Sequence, residues 1–231
     1  MTERLDWAFD HTKMFAIDDC PAPSSFVHKL ETGVKNGDCL PACFAVILEC
    51  LHRGQITSPN LQEAAAEMRI EIFRWIQFNW EKYIVFEQQT QVHELVWLQH
   101  DLGRSPEERV DSEEWGDSAD SRFVAYLRIC ETVYFTDLEM LVFACIVWQR
   151  RGVPMLFRIW RVTGDHQEKG ELVHTLPERK FFTAQGVTEA IVIDMAHTGR
   201  TDHASAHYKL LSSASLQGLT CCRPRRSRDS F

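Results

Sequence analysis

Apolar positions in the first third of the chain recur at helical spacing in two segments. The first begins directly after Cys39 and extends to about His52, and Gly54 ends it. The second is predicted to begin with Asn60, because asparagine is a preferred N-cap residue. It is predicted to extend to about Ile84, since its apolar residues trace one helical face: Leu61, Ala64, Ala65, Met68, Ile72, Trp75, Ile76, Trp80 and Tyr83. We interpret this aromatic stripe as core packing.

The middle of the chain combines a predicted insertion with two further helices. Residues 85–121 form the insertion, in which residues 92–98 have the spacing of a short helix. Its second half is acidic and is typical of a solvated loop, with contact to a partner as the alternative: Glu107, Glu108, Asp111, Glu113, Glu114, Asp117 and Asp120. A short helix is predicted over residues 123–130. The next helix begins with the capping box Thr136–Glu139, which accounts for its glutamate without a catalytic role, and Gly152 is predicted to end it.

Beyond residue 152 the pattern changes from helical spacing to short strands. Strands are predicted over residues 153–162, 171–176, 181–184, 189–196 and 207–211. The run Glu189–Ala196 is the clearest, because its apolar residues are contiguous and partly β-branched. Helices first and strands later predict an α+β fold with a small central sheet packed between helices. We expect one domain over residues 1–212 and a disordered basic tail over residues 213–231.

Composition and charge limit the classes of function. The chain has 231 residues, of which 45% are hydrophobic, and this is enough for one well-packed core. Its net charge of -8 argues against non-specific binding of nucleic acid and suits a partner with a basic surface. The longest apolar run, Met140–Trp148, is too short to span a bilayer. The first residues also lack the apolar segment of a signal peptide, so we expect a soluble protein.

The eight cysteines are not spaced as a disulfide framework or a zinc motif. Cys39, Cys43 and Cys50 share one predicted helix, and no pair has Cys-x-x-Cys spacing. This usage indicates a reduced, intracellular protein, cytoplasmic with a nuclear location open. We expect no metal and no cofactor.

Cys39 is the candidate nucleophile. It follows a glycine-containing turn at Gly37 and precedes Pro41, which fits the first turn of a helix. A cysteine at a helix N-terminus lies at the positive end of the macrodipole, which favours a thiolate. Free N–H groups of that first turn can also bind an oxyanion. The alternative interpretation of Cys39 is a small buried hydrophobic residue.

Three short motifs lie in order along the chain: Asn36-Gly37-Asp38-Cys39-Leu40, Asp137-Leu138-Glu139 and His207-Tyr208. Together they resemble the ovarian tumour (OTU) family of cysteine proteases. The run Asn36-Gly37-Asp38-Cys39-Leu40 is similar to the family's nucleophile loop, which usually reads Asp-Gly-Asn-Cys-Leu/Phe-Phe. Asp137-Leu138-Glu139 is similar to a Glu-Leu-rich helix in the middle of the family's chain, and His207-Tyr208 is similar to the family's His-Tyr pair near the C-terminal end. The resemblance spans about residues 30–212 in the family's order. It implies a papain-type α+β protease fold with the nucleophile at the N-terminus of a core helix.

The resemblance also implies roles for the site residues. His207 is the expected base, with His203 and His197 as the alternatives on the preceding loop. The backbone N–H groups of Gly37, Asp38 and Cys39 are the expected oxyanion donors. Asn36 stands where the family has Asp; it is expected either to assist the oxyanion through its amide or only to stabilise the turn.

The group that would orient the histidine stays open. Lys209 stands where many family members have Asp or Asn, and an ammonium group cannot accept a hydrogen bond. The site is therefore either a Cys-His dyad or a triad completed from elsewhere, for which four residues are eligible: Asp18, Asp19, Asp194 and Asp202.

The function that the resemblance implies is thiol-dependent deubiquitination. The expected reaction is hydrolysis of the peptide or isopeptide bond after the C-terminal glycine of ubiquitin or a ubiquitin-like modifier, by a monomer. An inactive OTU-like module that only binds ubiquitin or another protein is the alternative. A zinc site formed by His197, His203 and His207 is a less favoured chemistry for the same loop, because no cysteine or acidic cluster joins them.

Overall fold

A mixed five-stranded β-sheet is the centre of the computed structural model of the chain. The structure describes residues 14–18, 20, 22–23, 38–53, 60–84, 87–98, 118–132, 135–163, 169–198 and 207–211. Within them the strands are β1 (Phe15–Ala16), β2 (Tyr83–Ile84), β3 (Glu87–Gln91), β4 (Met155–Thr163), β5 (Lys169–Leu176), β6 (Glu189–Thr198) and β7 (His207–Leu210). β2 and β3 form a separate antiparallel pair.

Six helices lie within the described ranges, and together with the sheet they confirm the α+β class. They are α1 (Cys39–Arg53), α2 (Leu61–Phe78), α3 (Val92–Trp97), α4 (Ala119–Thr132), α5 (Asp137–Arg151) and α6 (Arg179–Ala184). The predicted cap of α2 is present, since the Asn60 side chain accepts the Glu63 N–H at 3.2 Å. The capping box of Thr136 and Glu139 opens α5, and Gly152 ends it in the left-handed conformation with φ of 64°.

β6 is the strand that joins the sheet together. Along one edge it pairs in parallel with β4, from Met155 opposite Ile191 to Arg161 opposite His197. Its other edge is shared, because β1 pairs antiparallel with the beginning of β6 and β7 with its end. β5 pairs antiparallel with β4 on the far side. Residues 190–196 of β6 are all buried, so both faces of the strand are covered, and its nearly continuous apolar run follows from that burial.

Three phenylalanines fix α1 and α5 to the sheet. Phe44 of α1 stacks on Phe143 of α5, with ring centroids 4.3 Å apart and planes 4° apart. Phe157 of β4 is tilted against both rings, at 6.1 and 6.2 Å. All three side chains are fully buried, and burying each contributes about 1.5–3 kcal/mol. The N-terminus of α1, with Cys39, is therefore held by a well-packed core.

The predicted end of α2 and the strand predicted over residues 181–184 are wrong. α2 ends at Phe78 and not near Ile84, because the Asn79 side chain donates to the Trp75 carbonyl at 2.7 Å and the chain turns into β2. The predicted strand over residues 181–184 is the short helix α6. Phe182 is buried and the next two residues, Thr183 and Ala184, are both exposed. This burial pattern is not the alternation expected of a strand.

The first part of the predicted insertion belongs to the core. Residues 87–98 form β3 and α3, and the side chains of Val92 and Val96 are fully buried. Residues 107–117 of the acidic stretch and the predicted tail over residues 213–231 lie outside the described residues. Asp120, the last residue of that stretch, lies in the first turn of α4, which begins at Ala119 and not at residue 123 as predicted. Among the helices that the structure describes, none has the length and apolar character needed to cross a membrane.

Candidate functional site

The start of α1 has the geometry predicted for the nucleophile. Asp38 is its N-cap residue, because its carbonyl accepts the Ala42 N–H at 2.9 Å. Cys39 is the first helical residue, and Pro41 lies in the first turn, where its missing N–H costs nothing. The prediction that Cys39 begins a core helix is confirmed.

The Asp38 carboxylate does not cap this helix. Its Oδ1 accepts the Arg69 Nε–H at 2.8 Å, and its Oδ2 accepts the Gln62 side-chain amide at 2.9 Å. Both partners belong to α2, and the Arg69 guanidinium also lies over the Phe135 ring, 4.5 Å from its centroid. The side chain of Asp38, the residue before the candidate nucleophile, is therefore held against α2 by hydrogen bonds.

The free edge of β7 faces the start of α1. The Leu211 N–H donates to the Asp194 carbonyl of β6 at 2.9 Å. Because alternate residues of an edge strand bond to opposite sides, the backbone groups of Tyr208 and Leu210 then point away from β6. Two cysteines of α1 meet them: the Cys43 thiol donates to the Tyr208 carbonyl at 3.8 Å, and the Tyr208 main chain hydrogen-bonds the Cys39 sulfur.

The charge state of Cys39 differs from the prediction. Burial has the largest effect on the pKa of the Cys39 thiol and raises it above the ordinary value. The main-chain N–H groups of Tyr208, Leu40 and Cys39 lower this pKa by less. The Arg69 guanidinium lowers it as well, with the smallest effect. The helix N-terminus thus acts in the predicted direction, but desolvation outweighs it and the thiol form is favoured.

The predicted base lies on the strand that contacts Cys39. His207 is the first residue of β7, where it pairs with Thr198, and it directly precedes Tyr208 in the chain. The structure does not describe the position of its side chain. His197 pairs with Tyr208, and their rings lie 5.0 Å apart, which places His197 on the same face as Tyr208. His203 lies outside the described residues, as do Asn36 and Gly37.

Of the four aspartates proposed to complete a triad, Asp194 is committed elsewhere. Its carboxylate accepts two hydrogen bonds from Arg158 and one from the Trp160 indole, all at 2.7 Å. Asp18 is exposed in the turn after β1. Asp19 and Asp202 lie outside the described residues. Lys209 pairs with Ala196 on the backbone of β7, two residues from His207 as predicted.

A polar chain that the sequence did not reveal leads away from Tyr208. The Tyr208 hydroxyl donates to Asp137 Oδ1 at 3.5 Å, and His174 Nε2 lies 2.9 Å from Asp137 Oδ2. The contact between these two atoms is an ion pair when His174 is protonated. The Asp137 carboxylate raises the pKa of His174, and burial opposes it. This chain joins β7 to α5 and β5 beside Cys39.

Glu139 is explained by structure alone, as predicted. Its carboxylate accepts the Thr136 N–H and hydroxyl at 2.6 and 2.9 Å and the Tyr126 hydroxyl at 2.9 Å. It is fully buried and links α4 to the start of α5.

No three metal-ligating side chains converge within the described part of the chain. None of the cysteines whose side chains the structure describes forms a disulfide bond: Cys20, Cys39, Cys43, Cys50 and Cys145. Compared with known proteins, the chain matches no family model, no curated protein and no solved structure.

Proposed function

We propose that the chain is a thiol-dependent hydrolase of the OTU type, with Cys39 as nucleophile and His207 as base. The observation that carries the proposal is the meeting of two distant segments at one point. Cys39 begins a core helix, and its sulfur contacts the main chain of Tyr208, the residue after His207. Cys39 and His207 are 168 positions apart in the sequence, and the approach of their two motifs supports a shared site.

In the proposed reaction, the Cys39 sulfur attacks the carbonyl carbon of the C-terminal glycine of ubiquitin or a ubiquitin-like modifier. His207 takes the thiol proton and passes it to the leaving amine as the C–N bond breaks. The backbone N–H groups of Gly37, Asp38 and Cys39 stabilise the negative charge on the carbonyl oxygen. Water then attacks the thioester, which releases the modifier and restores the thiol. The acidic net charge of -8 suits a modifier with a basic contact face.

The second candidate function is an OTU-like module that binds the modifier without cleaving it. The raised pKa of the Cys39 thiol favours this alternative, since the thiolate is the nucleophile. The commitment of Asp194 to Arg158 removes one source of a third catalytic group. The departures of Lys209 and Asn36 from the family pattern also favour the module.

A ubiquitin derivative with an electrophilic C-terminus separates the two functions. The proposal predicts a covalent adduct with the wild-type chain, an adduct that forms normally with Cys43→Ala and is absent with Cys39→Ala. Cys43 is the matched control, because it is a fully buried thiol one helical turn further along α1. Binding without an adduct supports the module, and absence of both overturns ubiquitin as the partner. Matching probes built on ubiquitin-like modifiers test the wider substrate class.

A further inference from the structure

We propose that Arg69 is a positioning residue for Cys39. Its guanidinium holds the Asp38 carboxylate against α2 and thereby keeps that carboxylate away from the helix N-terminus where the Cys39 sulfur lies. The inference rests on the proposed function only in treating Cys39 as the nucleophile.

The first argument is that the Asp38 carboxylate and the Cys39 sulfur would compete for the same N–H donor at the start of α1. An N-cap aspartate ordinarily accepts the N–H of the second or third helical residue. Here the third residue is Pro41, which has no N–H, so the Leu40 N–H is the remaining donor for such a cap. That same N–H acts on the Cys39 sulfur. A carboxylate that turned back to cap the helix would therefore take a donor from the sulfur and bring a negative charge beside it.

The anchoring of Arg69 is the second argument. Its Nε–H donates to Asp38 Oδ1 at 2.8 Å, while its guanidinium packs on the Phe135 ring. The side chains of Arg69 and Asp38 are only 16% and 11% exposed, so solvent screens their attraction weakly. Gln62 donates to the other carboxylate oxygen at 2.9 Å. Asp38 thus has a defined place on α2 that excludes capping of α1.

The charge of Arg69 is the third argument. Among the described residues, Arg69 from α2 is the charged group that acts on the pKa of Cys39, while Cys39 itself raises the pKa values of Cys43 from α1 and Tyr208 from β7. Of these, Arg69 is the cation, and it favours a thiolate against the opposing effect of burial. Arg69 therefore acts on Cys39 in two ways, through the orientation of Asp38 and through its own charge.

Alkylation of Cys39 by iodoacetamide tests the inference without ubiquitin, because the reagent reacts with the thiolate. Mass spectrometry follows the tryptic peptide over residues 36–53, and fragment ions separate Cys39 from Cys43 and Cys50. At about pH 7.5, Arg69→Met is expected to slow the reaction of Cys39 about tenfold, because a released Asp38 carboxylate beside the sulfur would raise the pKa of the thiol by about one unit. The double variant Asp38→Ala/Arg69→Met is expected to react within about threefold of wild type, because the released carboxylate is gone.

Arg74→Met is the matched control, since it removes an exposed arginine from the same helix, and it is expected to leave the rate unchanged. Asp38→Ala alone is expected to react at least as fast as wild type, and this keeps the test decisive if Arg69→Met does not fold. The inference is overturned if Cys39 of Arg69→Met is alkylated within twofold of the wild-type rate. It is also overturned if the double variant is alkylated as slowly as Arg69→Met, or if Asp38→Ala is alkylated more slowly than wild type. If these rates behave as expected but no ubiquitin adduct forms, the inference stands and the proposed function fails.

Discussion

Removing the charge of Asp194 should destabilise the fold strongly. Asp194→Asn leaves the Arg158 guanidinium without its counter-ion at a site where the two side chains are 4% and 2% exposed. The new amide also directs N–H donors at an arginine that can only donate. Breaking a buried pair in this way costs about 3–5 kcal/mol. For a chain of this length that corresponds to a fall in melting temperature of about 6–20 °C.

Thermal and urea unfolding of Asp194→Asn measure this cost, with Glu178→Gln as the control. Glu178 pairs with Lys180 at 2.7 Å on the surface, where the side chains are 58% and 67% exposed, so its loss should cost no more than about 1 kcal/mol. The double variant Arg158→Met/Asp194→Leu should recover much of the loss, because no unpaired charge remains. If Asp194→Asn costs as little as the control, the role assigned to the buried pair is incorrect.

Two further predictions concern the core and the polar chain beside the candidate site. Phe44→Ala should lower the free energy of unfolding by about 3–5 kcal/mol, because it removes the ring stacked on Phe143 and leaves a cavity; a loss below 1 kcal/mol in urea unfolding would contradict this packing. His174→Gln should destabilise the protein more at pH 5.5 than at pH 8, in paired unfolding curves. The pKa of His174 is raised by Asp137, so its stabilisation is complete below the ordinary value of about 6.5 and is lost as the pH rises through the raised pKa; an equal cost at both pH values would refute the ion pair.

Local signals predicted much of the fold. The capping box before α5, Gly152 after it and the contiguous apolar run of β6 each carry their structural meaning within a few residues. The same holds for Cys39 at the start of α1. The prediction failed over residues 181–184, because a run of four residues with two aromatics does not distinguish a strand from a short helix.

The contacts that shape the candidate site were not predictable in this way. Asp38 and Arg69 are 31 residues apart and Arg158 and Asp194 are 36 apart, so only the tertiary fold brings each pair together. One signal was available for the second pair: each residue is a lone charge within a strand that is otherwise apolar over its buried part. The desolvation of Cys39 was missed for the same reason, because burial by β7 is not encoded next to the cysteine.

Turnover of ubiquitin that carries a fluorogenic amide at its C-terminus tests the central claim most directly. The account predicts release of the fluorophore by the wild-type chain, and loss of that release to the level of buffer in Cys39→Ala and His207→Ala. Cys50→Ala, which removes a buried thiol from the far end of the same helix, should retain turnover in proportion to its folded fraction. A wild-type chain that binds ubiquitin but releases no fluorophore, or a Cys39→Ala variant with wild-type turnover, would contradict the account.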